Sequence, residues 1–252
     1  MAAKQTRVYA RALVALAMLV MLAGCAGRVA VEDRHPDDPW EGFNRGVFAF
    51  NDTLDRAVLK PVARGYRWAT PQPVQTGVGN FFSNLGEIRT TLNSLLQGKP
   101  GNAGRSTSRF LLNTTVGVAG LWDVATPMGI TAEREDFGQT LGVWGVGEGP
   151  YLVLPLLGPS TVRDTGGLPL DMVTYPVYYV ENDKVRYGLT ALRIVDVRAG
   201  LLDQEELIQG DRYTFIRDAY LQHRRFEVSD GELGDDPFAS EDFDFDEADF
   251  AD

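Results

Sequence analysis

The middle of the chain contains a long apolar stretch that cannot form a single helix. Residues Gly149 to Val162 carry no charged side chain, and Pro150, Pro155 and Pro159 interrupt the stretch. Proline removes a backbone hydrogen-bond donor and breaks a helix interior. An irregular backbone this apolar must be covered by protein, because its polar groups need partners in a core or in a membrane. The sequence leaves these two settings open.

Glycine is concentrated in the segment just before that stretch. Residues Phe137 to Gly149 contain five glycines, of which Gly138 and Gly142 are four residues apart. In a helix this spacing places both on one face and lets a neighbouring helix approach closely. The sequence therefore predicts a close helix contact, followed by a backbone with unusual conformational freedom.

The N-terminus has the layout of a secretory signal peptide. A basic start is followed by an apolar run over roughly residues 12–22 and then by small residues. The sequence Leu22-Ala23-Gly24-Cys25 resembles the bacterial lipobox, in which the thiol receives a diacylglyceryl group and becomes the first residue of the mature protein. Cys25 is the only cysteine of the chain, so it cannot form an internal disulfide. Lipid attachment at Cys25 is the favoured interpretation, and an ordinary signal peptide with an incidental cysteine is the alternative.

The residue after the cysteine bears on the destination of the protein. Lipoproteins held at the inner membrane usually carry Asp at this position, whereas this chain carries Ala26. We therefore predict a lipid-anchored protein on the periplasmic face of the outer membrane. The expected segments are a signal peptide (1–24), a tether (25–37), a helical domain (38–226) and a disordered acidic tail (227–252).

The net charge of −11 is concentrated in that tail. Residues 227–252 contain twelve acidic residues and no basic one, which leaves 23 acidic against 24 basic residues upstream. A tail with so little to bury is predicted to be solvated. Four phenylalanines are interleaved with its acids, so a docking strip for a basic partner is the second interpretation. The near-neutral body lacks a basic stripe, and we expect no nucleic-acid partner.

Helical periodicity dominates the rest of the chain. Asp38, Pro39 and Glu41 predict a helix start, with Asp38 as the cap and Glu41 completing a capping box. Lys60-Pro61 is predicted to end or kink this helix. The most regular apolar stripe belongs to a second helix and advances in steps of three and four residues: Val74, Val78, Phe81, Leu85, Ile88, Leu92 and Leu95. The predicted fold class is mainly α.

The chain offers few residues for catalysis. Of its two histidines, His35 and His223, only His223 could serve as the base of a Ser-His-acid hydrolase. The sequence around Ser160 lacks the second glycine of the G-x-S-x-G turn. Zinc and iron sites need clustered ligands, and phosphate-binding loops need a glycine spacing that this chain does not have. We therefore predict a protein that is not an enzyme and needs no metal or cofactor.

A series of short motifs covers roughly residues 38–226. The most specific run is Asp136-Phe137-Gly138-Gln139-Thr140-Leu141-Gly142. The other runs, in chain order, are Asp38 to Arg45, Asn80 to Leu85, Arg109 to Thr114, Trp122 to Ala125, Gly147 to Tyr151, Leu154-Pro155 and Arg163 to Gly167. Together they resemble the MlaA family, also called VacJ, of outer-membrane lipoproteins. The acidic tail is not part of the shared pattern.

This resemblance implies amphipathic helices that form a ring-like single domain in the inner leaflet of the outer membrane, with a Gly/Pro-rich hairpin gate. It implies a protein that removes mislocalised phospholipids from the outer leaflet and passes them through an amphipathic channel, so that lipid asymmetry is maintained. The implied partners are phospholipids, the outer membrane, trimeric porins and a soluble MlaC-like periplasmic lipid carrier. A structural lipoprotein that only braces porins is the alternative, and a lipid hydrolase is a third hypothesis.

The predicted gate and channel lining is the Gly/Pro-rich segment 137–157. A phospholipid path must be amphipathic, because moving a charged headgroup through bare hydrocarbon costs several kcal/mol or more. We expect leucines and aromatic residues of this segment to face lipid and its glycines to give backbone mobility, with core packing as the alternative. The predicted residues are Phe137, Gly138, Leu141, Gly142, Trp144, Gly145, Gly147, Gly149, Tyr151, Leu152 and Leu154.

Five residues outside the gate also have expected roles. Arg163 and Asp164 could bind a headgroup, but an internal pair is favoured. Asn44 is expected to make structural hydrogen bonds from the polar side of the first helix. Trp40 and Trp68 are candidates for interface anchors, because tryptophan favours the headgroup level of a membrane, or for ordinary packing.

Overall fold

The computed structural model describes residues 35–208 and 210–231. The predicted signal peptide, the predicted lipid attachment site Cys25 and most of the predicted tail lie outside the described residues. In the part that is described, α-helices dominate and one short β-hairpin lies in mid-chain. No helix among these residues is both long and apolar enough to cross a membrane.

The helices and strands follow one another in a simple order. The first half contains α1 (Glu41–Leu54), a π-helical turn (Asp55–Leu59), α2 (Lys60–Ala69), α3 (Gln72–Leu96), α4 (Pro100–Thr115) and a 3-10 turn (Thr126–Met128). The second half contains α5 (Phe137–Val143), β1 (Tyr151–Leu154), β2 (Gly158–Thr161), α6 (Val162–Val173), a 3-10 turn (Pro176–Tyr179), α7 (Asp183–Gly200), a 3-10 turn (Gln204–Leu207) and α8 (Arg212–Val228).

The start of α1 differs from the prediction. Its N-cap is Trp40, which makes no side-chain cap bond, and the Glu41 side chain pairs instead with Arg45. Asp38 is fully buried and accepts hydrogen bonds from Asn44 (2.8 Å) and from the Tyr213 hydroxyl. The predicted capping role of Asp38 is therefore wrong, because this carboxylate is used for long-range contacts.

Pro61 does not end the first helix. The chain passes through the π-helical turn and continues as α2, with Pro61 in its first turn. A proline ring in a helix clashes with the carbonyl four residues earlier, and a widened π turn relieves such crowding. Residues 41–69 therefore form one continuous but locally unwound rod.

Helix α3 buries its polar side. Val74, Leu92 and Leu95 of the predicted apolar stripe are 52%, 42% and 57% exposed. The buried positions of this helix are, apart from Phe82, polar: Asn84, Glu87, Thr90, Asn93 and Ser94. The stripe therefore predicted the helix, but the orientation is the reverse of that in an ordinary water-soluble domain.

A buried ion pair joins α3 to α4. Glu87 lies 2.7 Å from Arg109, and both side chains are 4% exposed. Arg109 also contacts Asp123 at 3.0 Å and donates a hydrogen bond to the hydroxyl of Thr126. Burial opposes the charge on Glu87 and raises its pKa, although Arg109 acts in the other direction. The α3–α4 interface is thus polar and fixed by charge.

The apolar core is small and lies between α1, the hairpin and α8. Its buried members are Val47, Tyr151, Val153, Tyr213 and Leu221, against which partly buried aromatic residues pack. Aromatic edges meet there, with the Tyr151 and Tyr213 ring centroids 6.3 Å apart. This core holds the hairpin against the helical body.

Candidate functional site

The hairpin lies within the stretch that the prolines make irregular. β1 and β2 are antiparallel, with Tyr151 opposite Thr161 and Leu154 opposite Gly158. At the tip, Leu156 has a φ of +67° and is 65% exposed, and the neighbouring Leu157 is 60% exposed. A leucine rarely adopts positive φ, so the surrounding structure must hold this turn.

Two asparagines of α1 make hydrogen bonds with the backbone of β1 and of the turn that follows it. The buried Asn44 amide donates to the Tyr151 carbonyl (3.0 Å), and its oxygen accepts from the Val153 N–H (2.9 Å). Asn51, two turns further along, donates to the Leu154 carbonyl (2.9 Å) and accepts from the Leu156 N–H (2.8 Å). These side chains take the place of a neighbouring strand, and the structural role expected for Asn44 is confirmed.

A cavity of about 180 Å³ lies beneath the hairpin. Its apolar wall is formed by Leu154, Leu157, Pro159 and Leu168. The polar wall comes from β2, from the start of α5, from α6 and from α8: Asp136, Ser160, Asp164, Asp171, Tyr220, His223, Arg224 and Glu227. The cavity is therefore amphipathic, and its leucine wall belongs to the hairpin and to α6.

Arg224 organises the polar wall. Its guanidinium contacts Asp136 at 2.6 Å and Asp164 at 2.9 Å, and Tyr220 donates to Asp164 at 2.9 Å. Burial alone would raise the pKa of Asp136 and Asp164, but the hydrogen bonds and positive charge of Arg224 outweigh it, so both pKa values lie below the ordinary range. These carboxylates stay ionised next to a buried arginine.

The pKa of Asp171 is shifted in the opposite direction, above its ordinary value. It is 9% exposed, accepts a hydrogen bond from the Phe137 N–H (3.0 Å) and lies 3.9 Å from Arg89. Burial, followed by the negative charge of Asp136, raises the pKa of Asp171 to about 6. One wall thus combines two firmly ionised carboxylates with one that takes up a proton in mildly acidic conditions.

The two glycines of α5 that are four residues apart allow a close approach of α8. A Cβ at Gly138 would lie 2.5 Å from both Arg224 and Asp164, and a Cβ at Gly142 would lie 2.7 Å from a methyl group of Val228. The predicted close helix contact is therefore present. Gly142 packs against α8 in this structure, which does not favour the mobility that was predicted for it.

The structure distributes the other predicted gate residues over several environments. Trp144 is 54% exposed, donates to the Leu96 carbonyl (3.0 Å) and meets the Phe137 ring edge to face. Leu141, Leu152 and Leu154 are half-buried. Gly145 and Gly149 have φ values of +87° and +68°, whereas Gly147 does not have positive φ.

Tyr151 requires a correction. Its side chain is fully buried in the apolar core beside Tyr213 and Tyr220, so it cannot contact lipid in this packing. The physical reason is the register of β1, in which Tyr151 and Val153 point to the core and Leu152 and Leu154 are half-buried on the other side.

Arg163 and Asp164 contact each other at 3.0 Å, which agrees with the favoured internal pair.

Arg224, however, was not selected from the sequence, although it binds the same carboxylate. In the sequence it stands between His223 and Arg225, and no local pattern marks it as a partner of Asp164. His223 itself is 70% exposed and lies 3.3 Å from Glu227. Among the described residues, no group of three or more His, Cys, Asp or Glu side chains could hold a metal ion.

The fold and the site define a mainly helical protein with a polar, charged interior, outward-facing apolar side chains and an amphipathic cavity under a hairpin. A family model described as MlaA lipoprotein matches residues 36–227. The chain is 40% identical to the intermembrane phospholipid transport system lipoprotein MlaA of Escherichia coli, over 84% of this chain and 86% of that protein. The protein of the same name in Haemophilus influenzae is 36% identical, over 88% and 91% of the two chains.

A solved structure described as "Structural basis for maintenance of bacterial outer membrane lipid asymmetry" matches with a TM-score of 0.67 and 39% identity. The match covers 76% of this chain and 98% of that one. The chain belongs to the MlaA lipoprotein family.

Proposed function

We propose that this protein removes mislocalised phospholipids from the outer leaflet of the outer membrane and passes them to a periplasmic carrier. In this proposal it is anchored through Cys25 on the periplasmic face, beside trimeric porins, and it maintains lipid asymmetry. Its relatives in Escherichia coli and Haemophilus influenzae carry the name of an intermembrane phospholipid transport system. They are named as transport lipoproteins, which agrees with the prediction that the chain is not an enzyme.

The inverted burial of side chains is the observation that carries this proposal. Among the described residues, 22 buried positions are polar or charged and 12 are apolar, while large apolar side chains are exposed on nearly every helix. Burying apolar surface stabilises a protein in water by about 25 cal/mol per Å², so such a surface is unfavourable in contact with water. Contact with acyl chains removes that cost. The surface therefore supports a body immersed in a lipid leaflet.

The amphipathic cavity supports passage of a lipid rather than anchoring alone. A phospholipid needs apolar contacts for its chains and polar contacts for its headgroup, and the two walls of the cavity supply both. A volume of about 180 Å³ is below the roughly 300–1,000 Å³ of ordinary small-molecule sites. In the proposal, the hairpin moves away from α6 and α8 when a lipid passes.

The loop before β1 suits a hinge for this movement. A Cβ placed on Gly145 or Gly147 would meet no atom within 4 Å, so little side-chain packing restrains the chain there. The segment 137–157 remains the proposed gate, with α5 as its packed base, the loop of residues 144–150 as its hinge and the hairpin that begins with β1 as its movable part.

The function is tested by the phospholipid content of the outer leaflet in a strain that lacks the gene. We expect phospholipid to accumulate there, and we expect wild-type protein, but not Cys25→Ala, to restore asymmetry. Normal outer-leaflet composition after deletion would overturn the proposal. A protein that only braces porins would tolerate Leu152→Asp while its fold and porin contact survive, whereas a lipid path would not. Leu152→Met is the matched control.

A further inference from the structure

A second cavity lies far along the chain from the hairpin, between α2 and the turn that follows α7. It encloses about 560 Å³, which is within the range of small-molecule sites. We call it the basic cleft, and its main residues are Lys60, Arg64, Arg67, Trp68, Asp203 and Glu205. The first four recur at helical spacing and therefore share one face of α2.

The cations of the basic cleft are available to a ligand. Arg64 is exposed, and no ion pair joins it to any side chain that the structure describes, which leaves out those of residues 206, 207 and 209. Arg67 pairs with Asp203 at 2.9 Å, but the two side chains are 41% and 80% exposed. Pairs this exposed contribute only about 0–1 kcal/mol, so an incoming anion can replace Asp203 at little cost.

The second acid of the cleft, Glu205, lies in a network of ion pairs. Glu205 lies 2.7 Å from Arg198 and 3.1 Å from Arg212, in addition to 3.0 Å from Lys60. Although burial opposes ionisation, these cations lower the pKa of Glu205 to about 2. Arg198 and Arg212 are also paired with Asp55 (2.7 Å) and Asp52 (2.9 Å), so Lys60 balances Glu205. The charge available to a ligand on the α2 face of the cleft is therefore that of Arg64, together with that of Arg67 when Asp203 is displaced.

The rim of the cleft is aromatic. The Trp68 ring is 90% exposed, one turn along α2 from Arg64, and Leu201 next to the opposite wall is 45% exposed. An indole in full contact with water buries none of its apolar surface, but an indole at a membrane interface does. Cations below and a tryptophan at the rim match a group that carries phosphate on one side and acyl chains on the other.

We propose that the basic cleft binds a phosphate group, and that Trp68 makes it the phosphate of an anionic phospholipid rather than free phosphate. Arg64 and Arg67 donate hydrogen bonds to the phosphate oxygens, because guanidinium groups recognise phosphate with two parallel N–H bonds. This inference rests on the proposed function, since it gives a lipid-handling protein a headgroup site away from the gate.

The test is a binding titration of the full chain in a nonionic detergent, in which the line width of the ³¹P NMR signal of the added ligand measures binding. The two probes are inorganic phosphate and short-chain phosphatidylglycerol below its micellar concentration. We expect Arg64→Gln with Arg67→Gln to weaken phosphatidylglycerol binding by about tenfold or more. Trp68→Ala should weaken the lipid and leave inorganic phosphate unchanged. Arg105→Gln, an exposed arginine on α4, is the matched control and should change neither.

Each contrary result would overturn a different part of the proposal. Unchanged lipid binding in the double variant, or an equal loss in Arg105→Gln, would overturn the basic cleft as the site while leaving the proposed function intact. Inorganic phosphate binding as tightly as the lipid, with no effect of Trp68→Ala, would overturn the lipid assignment. If the wild-type protein bound no phospholipid at all, the proposed function would fail together with this inference. Equal melting temperatures of all variants serve as the folding control.

Discussion

The guanidinium of Arg224 binds the carboxylate of Asp164 through two hydrogen bonds, with Nε at 2.9 Å from Oδ2 and Nη2 at 3.1 Å from Oδ1. The same guanidinium reaches Asp136 at the start of α5. One side chain of α8 thus joins α5 and α6 under the hairpin, and its pair with Asp164 is buried, since the Arg224 and Asp164 side chains are 7% and 8% exposed.

Removing Arg224 should therefore destabilise the protein strongly. Arg224→Met leaves the buried Asp164 and the partly buried Asp136 without their main cation, and breaking a buried pair in this way typically costs about 3–5 kcal/mol. The free energy of unfolding in denaturant titrations measures the loss. Arg225→Met is the matched control, because Arg225 is 55% exposed and its pairs with Asp37 and Glu148 should contribute at most about 1 kcal/mol. Equal losses in the two variants would contradict the structural role of Arg224.

Asn44 should be irreplaceable by an apolar residue of similar size. In Asn44→Leu the Tyr151 carbonyl and the Val153 N–H stay buried but lose their partners, and each unsatisfied group costs about 1–3 kcal/mol. Thermal unfolding should show a clearly lower melting temperature. Asn80→Leu removes a single bond to the Leu121 carbonyl at an exposed position, and it should change stability by less than about 1 kcal/mol. A loss as small in Asn44→Leu would mean that the hairpin edge is held by other contacts.

Arg224 and Asn44 also show how much of the fold can be predicted from the sequence. The helical stripe of α3, the break at the prolines and the glycine contact of α5 are local patterns, and each could be predicted because its cause lies within a few residues. Arg224 and Asp164 are 60 positions apart and Asn44 and Val153 are 109 apart, so their pairing follows only from the packed fold. The burial of the polar face of α3 could not be predicted either, because periodicity defines two faces of a helix but does not say which of them is buried in protein.

Gly138 should tolerate no side chain. The Cβ of Gly138→Ala would meet Arg224 and Asp164 at 2.5 Å and push α5 away from the charged wall, which should cost about 1–3 kcal/mol. Gly104→Ala on α4 is the control, since a Cβ there meets nothing within 4 Å and alanine favours a helix interior by about 1 kcal/mol. Denaturant unfolding should therefore move the two variants in opposite directions. A stabilised Gly138→Ala would show that α5 and α8 are not in close contact.

Asp171 should give the protein an unusual pH dependence. Its pKa rises to about 6 on folding, so its protonated form is favoured in the folded state, and its contribution to stability falls as pH rises from about 4 to about 6. Asp171→Asn keeps an acceptor for the Phe137 N–H without the charge. We expect this variant to melt at a higher temperature than wild type at pH 7.5, with the difference disappearing as pH falls to about 4.

Asp136 and Asp164 contribute with the opposite sign, since their lowered pKa values stabilise the fold at neutral pH and this stabilisation is lost as pH falls through those values. The comparison of Asp171→Asn with wild type isolates one carboxylate, because the other two are common to both proteins. A melting-temperature difference that does not change between pH 4 and pH 7.5 would contradict the raised pKa of Asp171.

A cross-link between the hairpin and α6 tests the gate directly. The side-chain hydroxyls of Ser160 on β2 and Thr165 on α6 are 2.9 Å apart, so Ser160→Cys with Thr165→Cys should form a disulfide in an oxidising compartment. In the proposed function Cys25 is acylated and does not compete. We expect the cross-linked protein to leave phospholipid in the outer leaflet as a deletion does, because a fixed hairpin keeps the cavity at about 180 Å³. A reductant should restore asymmetry.

Thr91→Cys with Thr107→Cys is the matched control, since those hydroxyls of α3 and α4 are 3.5 Å apart and belong to helices that need no movement. If the hairpin cross-link preserved normal asymmetry while mass spectrometry showed it complete, lipid would have to pass without movement of residues 151–161, and the gate would have to be sought elsewhere.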